Sequence, residues 1–136
     1  MPNIIYSQAF ARNVKAELRA RFRPDSQGIP LHVADEEGLL HYTIELSLYS
    51  PSAREIDSVI YRLDDTYADP IAASNDRDND FTEVISSYGD FEIDFSVQMG
   101  RHEYKQRAWL SSLLEEGHEG EDSPSIRDAI KYIQKH

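Results

Sequence analysis

From residue 39 onward the chain alternates between apolar and polar positions with a period of two. Tyr42, Ile44, Leu46 and Leu48 fall on one side, with Thr43, Glu45 and Ser47 on the other. That is the pattern of a strand with one buried and one wetted face. The alternation returns at Val59, Tyr61 and Leu63, set against Ile60 and Arg62. It is longest at Phe91, Ile93, Phe95, Val97 and Met99, set against Glu92, Asp94, Ser96 and Gln98. Residues 81–85 and 104–114 read as further strands, and turn-rich stretches (SPSARE, ADPIAASNDRDND, SSYGD, GRHE) separate them all. Short strands at this spacing, with no crossover helices between them, predict an all-β antiparallel sandwich of about six to eight strands. Its core is expected to hold Ile44, Leu46, Val59, Tyr61, Leu63, Phe91, Ile93, Phe95 and Val97.

The two ends read differently. Residues 8–22 place Phe10, Val14, Leu18 and Phe22 four apart among good helix formers, with Ser7 as a cap and Pro24 as a stop. A helix is expected there, although Val14, Ala16, Leu18, Ala20 and Phe22 also alternate strictly, as a strand would. Residues 24–38 form a connection with a short strand over 29–33. After Leu114 a polar linker, EEGHEGED, leads to Ser123 as N-cap and Pro124 at the first helical position, with Ile126, Ile130 and Ile133 on one side of a short helix. The expected organisation is a helical segment at 1–27, the sandwich at 28–116, and a linker with a helix at 117–136.

At 136 residues the sequence has the size of one domain, and 40% hydrophobic residues suffice for a core. The absence of cysteine rules out disulfides and thiolate metal sites, which suits a reducing compartment, so a cytoplasmic location is expected. The opening MPNIIYSQAF lacks the layout of a secretory signal, and no apolar run reaches the roughly 18 residues that cross a bilayer, so no membrane role is expected. A net charge of -11 argues against binding to a phosphate backbone, which needs a basic surface. The charge is uneven: Arg12, Lys15, Arg19, Arg21 and Arg23 face a lone Glu17 in the first 23 residues, which leaves the acid excess to the rest. A body of this kind is either simply well solvated or suited to a Lys-rich or Arg-rich ligand.

Few residues carry chemistry. Asp76, Asp78 and Asp80 alternate as in a calcium loop, but Phe81 stands where such a loop needs glycine and Ser87 where it needs glutamate, so no metal site is read there. His32, His41, His102, His118 and His136 show no zinc spacing. No nucleophile with an identifiable base stands out, and no cofactor motif occurs, so an enzyme is not expected. Two aromatic loops are more informative. Leu63 to Pro70 (LDDTYADP) follows one strand, and Ser86 to Phe91 (SSYGDF) opens another. Loops that leave a sandwich at the same end meet in space. Tyr67 and Tyr88 would then wall a slot suited to a flat, polarisable group or a cation, and Thr66 would supply a hydroxyl to orient an amide. The plainer alternative is that Tyr67 closes the core and Tyr88 plugs the end of the sandwich.

The runs VIYRLDDTYADP and SYGDFEIDFSV, in this order and spacing, resemble the motifs of YEATS domains: a V-x-Y/F-x-L strand, then L-H-x-S/T-F-x-x-P, then G-W/Y-G-x-F opening a long strand. The likeness runs from about Gly38 to Leu114. It implies an immunoglobulin-like sandwich that, in eukaryotic members, reads acylated lysine on histone tails by stacking the acyl amide between two aromatic rings. Carried over, Tyr67 and Tyr88 match the rings and Thr66 matches the hydroxyl, while the backbone N–H of Tyr88 would meet the acyl oxygen. Gly89 matches the glycine after the second aromatic. The family's histidine is Asp64 here, the glycine before the second aromatic is Ser87, and the intervening loop is rich in aspartate, so the chain looks more like the prokaryotic branch. The implied ligand is an acylated or lysine-rich peptide, bound without cofactor or nucleic acid. A protein-interaction or sensor module of a bacterial defence or regulatory system stays open as a second reading, and an acidic mimic of DNA as a third.

Overall fold

The computed structural model describes Ile4–Ile5 and residues 16–51 and 53–136. One antiparallel sheet contains β1 (Ile4–Ile5), β2 (Ala16–Phe22), β3 (His32–Ala34), β4 (Leu40–Tyr49) and β7 (Glu83–Ser87). The other, in the order β6-β5-β8-β9, contains β5 (Ser58–Arg62), β6 (Ile71–Ser74), β8 (Glu92–Met99) and β9 (His102–Trp109). Two helices follow, α1 (Leu110–Gly117) and α2 (Pro124–Lys135). β4 is the spine of the first sheet. On one side it pairs with β2 along Ile44 to Tyr49 and with β3 along Leu40 to Tyr42, and on the other with β7.

The period-two pattern does what it predicts. Along β4, Tyr42, Ile44, Leu46 and Leu48 are buried, and they meet Val59, Tyr61, Ile93, Phe95 and Val97 of the second sheet in one core. Each such aliphatic or aromatic side chain contributes about 1.5 to 3 kcal/mol relative to exposure. Leu63 differs from expectation in being only partly buried, because it lies just past the end of β5 and its N–H closes the following loop onto Pro70. Tyr61, fully buried, donates its hydroxyl to the Phe81 carbonyl at 2.9 Å. This contact holds Phe81 in the core although its φ of 55° is in the left-handed region, which aromatic residues rarely adopt. The acidic stretch before it is a short 3-10 turn at Arg77–Asn79.

Two expectations about the ends need correction. Ala16–Phe22 is a strand, not a helix, and residues 8–15 lie outside the described residues. Between the two periods the chain offers, tertiary pairing decides: Leu18 sits opposite Leu48, Ala20 opposite Leu46 and Phe22 opposite Ile44, so the alternating face is completely buried. The first sheet therefore begins before residue 28. The second correction concerns residues 104–114, where the strand stops at Trp109 and α1 begins. Leu110, Leu113 and Leu114 are buried on one side of that helix, which runs from the β9 edge to β2. There Gly117 lies so close to the Ala20 carbonyl that no side chain fits.

The last helix is as expected. The Ser123 hydroxyl accepts the Ile126 N–H, Pro124 opens the first turn, and Ala129, Ile130 and Ile133 are buried, with α2 packed against α1. Tyr132 reaches back to β4, where its hydroxyl accepts the Leu40 N–H at 2.9 Å. No helix among the described residues is long and apolar enough to cross a membrane.

Candidate functional site

The β5–β6 loop, residues 63–70, is shaped by its aspartate. Asp64 Oδ1 accepts the Thr66 N–H at 2.9 Å, the Asp64 carbonyl accepts the Tyr67 N–H at 3.0 Å, and the Leu63 N–H bonds the Pro70 carbonyl to close the loop. Aspartate seeds this kind of turn because its carboxylate caps backbone donors two residues on. The Thr66 contacts hold the Asp64 carboxyl below the usual carboxylate range.

The β7–β8 connection turns on Ser87. Its side chain is buried and folded back on the chain, with Oγ donating to the Gly89 carbonyl at 2.7 Å and accepting the Gly89 N–H at 3.2 Å. The side chain of Tyr88 is thereby left pointing outward, 40% exposed.

Between the loops lies a groove of about 460 Å³. It is lined by Asp64, Thr66, Tyr67 and Ala68 from the first loop and by Ser86 through Phe91 from the second, with His41 and His136 at its margins. All six residues singled out from the sequence, Asp64, Thr66, Tyr67, Ser87, Tyr88 and Gly89, are on its wall. The two tyrosines are not equivalent. Tyr67 is half-buried, its ring tilted on Phe91 at 5.6 Å, and its hydroxyl donates to the Ser86 carbonyl at 2.6 Å. Burial pushes its phenol above the ordinary value, the nearby Ser87 hydroxyl opposes the shift, and the Asp64 charge adds to it. Tyr88 meets the His41 ring in an edge-on contact at 5.3 Å.

His41 was not read as part of the site from sequence, yet its ring meets that wall. Its Nε2 lies 2.8 Å from Asp35 Oδ2, and the bond holds the Asp35 carboxyl below its usual range. Asp35 is in turn fixed by the N–H groups of Glu37 and Leu39. A chain of contacts thus runs from the β3–β4 turn to Tyr88. At the other margin His136 stacks on Tyr132 at 4.1 Å and presses its backbone against Gly89, where an added Cβ would stand 2.8 Å from the His136 carbonyl carbon. Below the groove, Asp90 accepts both the backbone N–H of Ser111 at 2.9 Å and its hydroxyl at 2.6 Å, joining the second loop to the first turn of α1. His41 and His136 carry no local motif, and only the pairing of β4 with β7 and the packing of the helices bring them here.

Among the described residues no three His, Asp or Glu side chains are grouped to hold a metal ion. Chemically, the groove offers two aromatic walls, hydroxyls, backbone amides and carboxylates, with no lysine or arginine in its lining among the described residues. That set suits the holding of a flat group.

Comparison with known proteins agrees with the motifs. Residues 42–106 match the family model of the prokaryotic YEATS domain, a span that contains both motif runs. No curated protein matches the chain. Among solved structures, the Yaf9 YEATS domain recognizing an H3K122suc peptide superposes with a TM-score of 0.53, over 76% of this chain and 73% of that one, at 17% sequence identity. At that identity the likeness establishes the fold, a YEATS-type sandwich.

Proposed function

We propose that this chain is a peptide-binding module that holds a flat side-chain group, in the first instance an acylated lysine, between Tyr67 and Tyr88. The observation that carries the reading is the convergence of both tyrosines, Thr66 and the Tyr88–Gly89 backbone on a single groove. In this reading the rings stack on the acyl amide, the Thr66 hydroxyl accepts its N–H, and the Tyr88 N–H donates to its oxygen. The YEATS-type fold and a structural neighbour that recognizes a modified peptide support a binding module over an enzyme. The acidic chain favours a lysine-rich partner over a nucleic acid. The lack of cysteine fits work in the cytoplasm.

Stacked aromatic contacts give roughly 0.5 to 1.5 kcal/mol beyond burial, so a shallow two-walled slot binds in the micromolar range or weaker. The test is a titration of acetylated, crotonylated and unmodified lysine peptides against the wild type and Tyr88→Ala, whose ring can be removed without opening the core. Preference for the modified peptides, lost in Tyr88→Ala at unchanged melting temperature, supports the reading. Equal affinity for modified and unmodified peptides reduces it to charge attraction. No binding at all shifts the assignment to an interaction or sensor module, a reading favoured by one feature: Ser87, in the family's glycine position, is buried and turned back on the chain.

A further inference from the structure

The two carboxylates that line the groove are in different situations. Asp90 is engaged on both oxygens by Ser111 in the first turn of α1, where the positive end of the helix offsets its charge. Asp64 receives the Thr66 N–H at 2.9 Å, and no salt bridge among the described residues includes it. The contacts with Thr66 hold its carboxyl below the usual carboxylate range. Asp65 and Asp69, both exposed on the same loop, add to the negative field, and among the described residues no lysine or arginine lines the groove to balance it. A neutral acyl amide entering between the tyrosines meets no electrostatic obstacle. An acyl chain that ends in a carboxylate, such as succinyl, brings a like charge beside Asp64 and finds no lysine or arginine there among the described residues.

We propose, resting on the acyl-lysine reading above, that the groove selects neutral acyl groups over acyl groups ending in a carboxylate, and that Asp64 is the residue that sets this distinction. Two unit charges several ångströms apart at a protein surface repel by enough to change affinity about tenfold. Salt weakens that repulsion because the charges are partly exposed.

The experiment uses the full chain and one lysine peptide in three forms, unmodified, crotonylated and succinylated, titrated at low and high salt. The variant is Asp64→Asn, whose side-chain carbonyl can still accept the Thr66 N–H and so preserves the loop. The expected result is that wild type binds the crotonylated peptide about tenfold or more tightly than the succinylated one. The ratio of crotonyl to succinyl affinity should fall in Asp64→Asn and at high salt. Equal affinity of the wild type for the two modified peptides overturns this inference and leaves the acyl-lysine reading standing. A gap that persists in Asp64→Asn, or loss of crotonyl binding in that variant, overturns the role of Asp64. If neither modified peptide binds a wild type shown to be folded, the acyl-lysine reading itself fails, and the selectivity with it.

Discussion

The phenol of Tyr67 donates a 2.6 Å hydrogen bond to the carbonyl of Ser86, so the wall contributed by the β5–β6 loop is tied to the end of β7. One side chain therefore both shapes the groove and joins the edges of the two sheets. Tyr67→Phe keeps the ring on Phe91 but leaves the Ser86 carbonyl without this donor. Loss of one such bond typically costs about 1 kcal/mol. Thermal or urea unfolding is expected to show that loss for Tyr67→Phe and a smaller one for Tyr88→Ala, since Tyr88 is 40% exposed. Equal losses in the two variants would mean that Tyr88 also closes the core.

Gly89 offers a separate handle on the same end of the molecule. A methyl group there would sit 2.8 Å from the carbonyl carbon of His136 and 2.9 Å from its oxygen. The obstacle is backbone, so either the β7–β8 loop or the end of α2 must move. Overpacking of this kind usually costs about 1 to 3 kcal/mol. Gly89→Ala is expected to lower the urea midpoint and weaken whatever the groove holds. A variant as stable as wild type would show that the end of α2 gives way freely.

Phe95 is 1% exposed and pairs with Tyr61 in the middle of the second sheet. Phe95→Ala leaves a void between the sheets that neither β5 nor β9 can close, and the usual cost of emptying a buried aromatic site is about 3 to 5 kcal/mol. Equilibrium unfolding in urea measures it directly, and a loss under about 1 kcal/mol would place Phe95 outside the core.

The strands with one buried face were legible because their period is a direct consequence of the pleat, and β4, β5 and β8 appear where the alternation puts them. Ala16–Phe22 was not, because Leu18 and Phe22 satisfy both a period of four and a period of two. Only the pairing with β4 chooses between them. Leu110, Leu113 and Leu114 carry helical spacing, but they follow β9 without a break in hydrophobicity, so the start of α1 at Leu110 is hidden in what reads as one strand. β6, at Ile71–Ser74, lies in a stretch of small and polar residues that reads as turn, and it is held by pairing with β5. At the groove, residues in the two loop motifs were found, since each loop carries a local signal. His41 and His136 were missed because what makes them part of the site is a partner far along the chain, Tyr88 for one and Gly89 for the other.

His118 provides a pH signature that does not depend on any ligand. It is 6% exposed, stacks on Phe22 at 5.5 Å, accepts the Phe22 N–H on Nε2 at 3.0 Å and directs Nδ1 toward Glu121 at 3.3 Å. In that arrangement Nε2 has no room for a proton, because a backbone donor already points at it. Burial holds the ring below the ordinary histidine value; Arg21 pushes the same way, and the Glu121 carboxylate opposes both. The unfolded chain takes up its proton near pH 6.5, and the folded chain does so only at lower pH. Below about pH 6.5 the unfolded state therefore binds more protons, and stability falls as pH falls from there toward the folded value. The carboxylates held below their usual range, Asp35, Asp64, Glu103 and Glu121, lose their contribution at lower pH still, so the two effects occupy different windows. The urea midpoint of wild type is expected to drop between pH 7.5 and pH 5.5. His118→Gln, which cannot titrate, should be less stable at pH 7.5 but flatter across that interval. If the variant shows the same slope as wild type, the sensitivity belongs to another group and His118 is protonated in the fold without penalty.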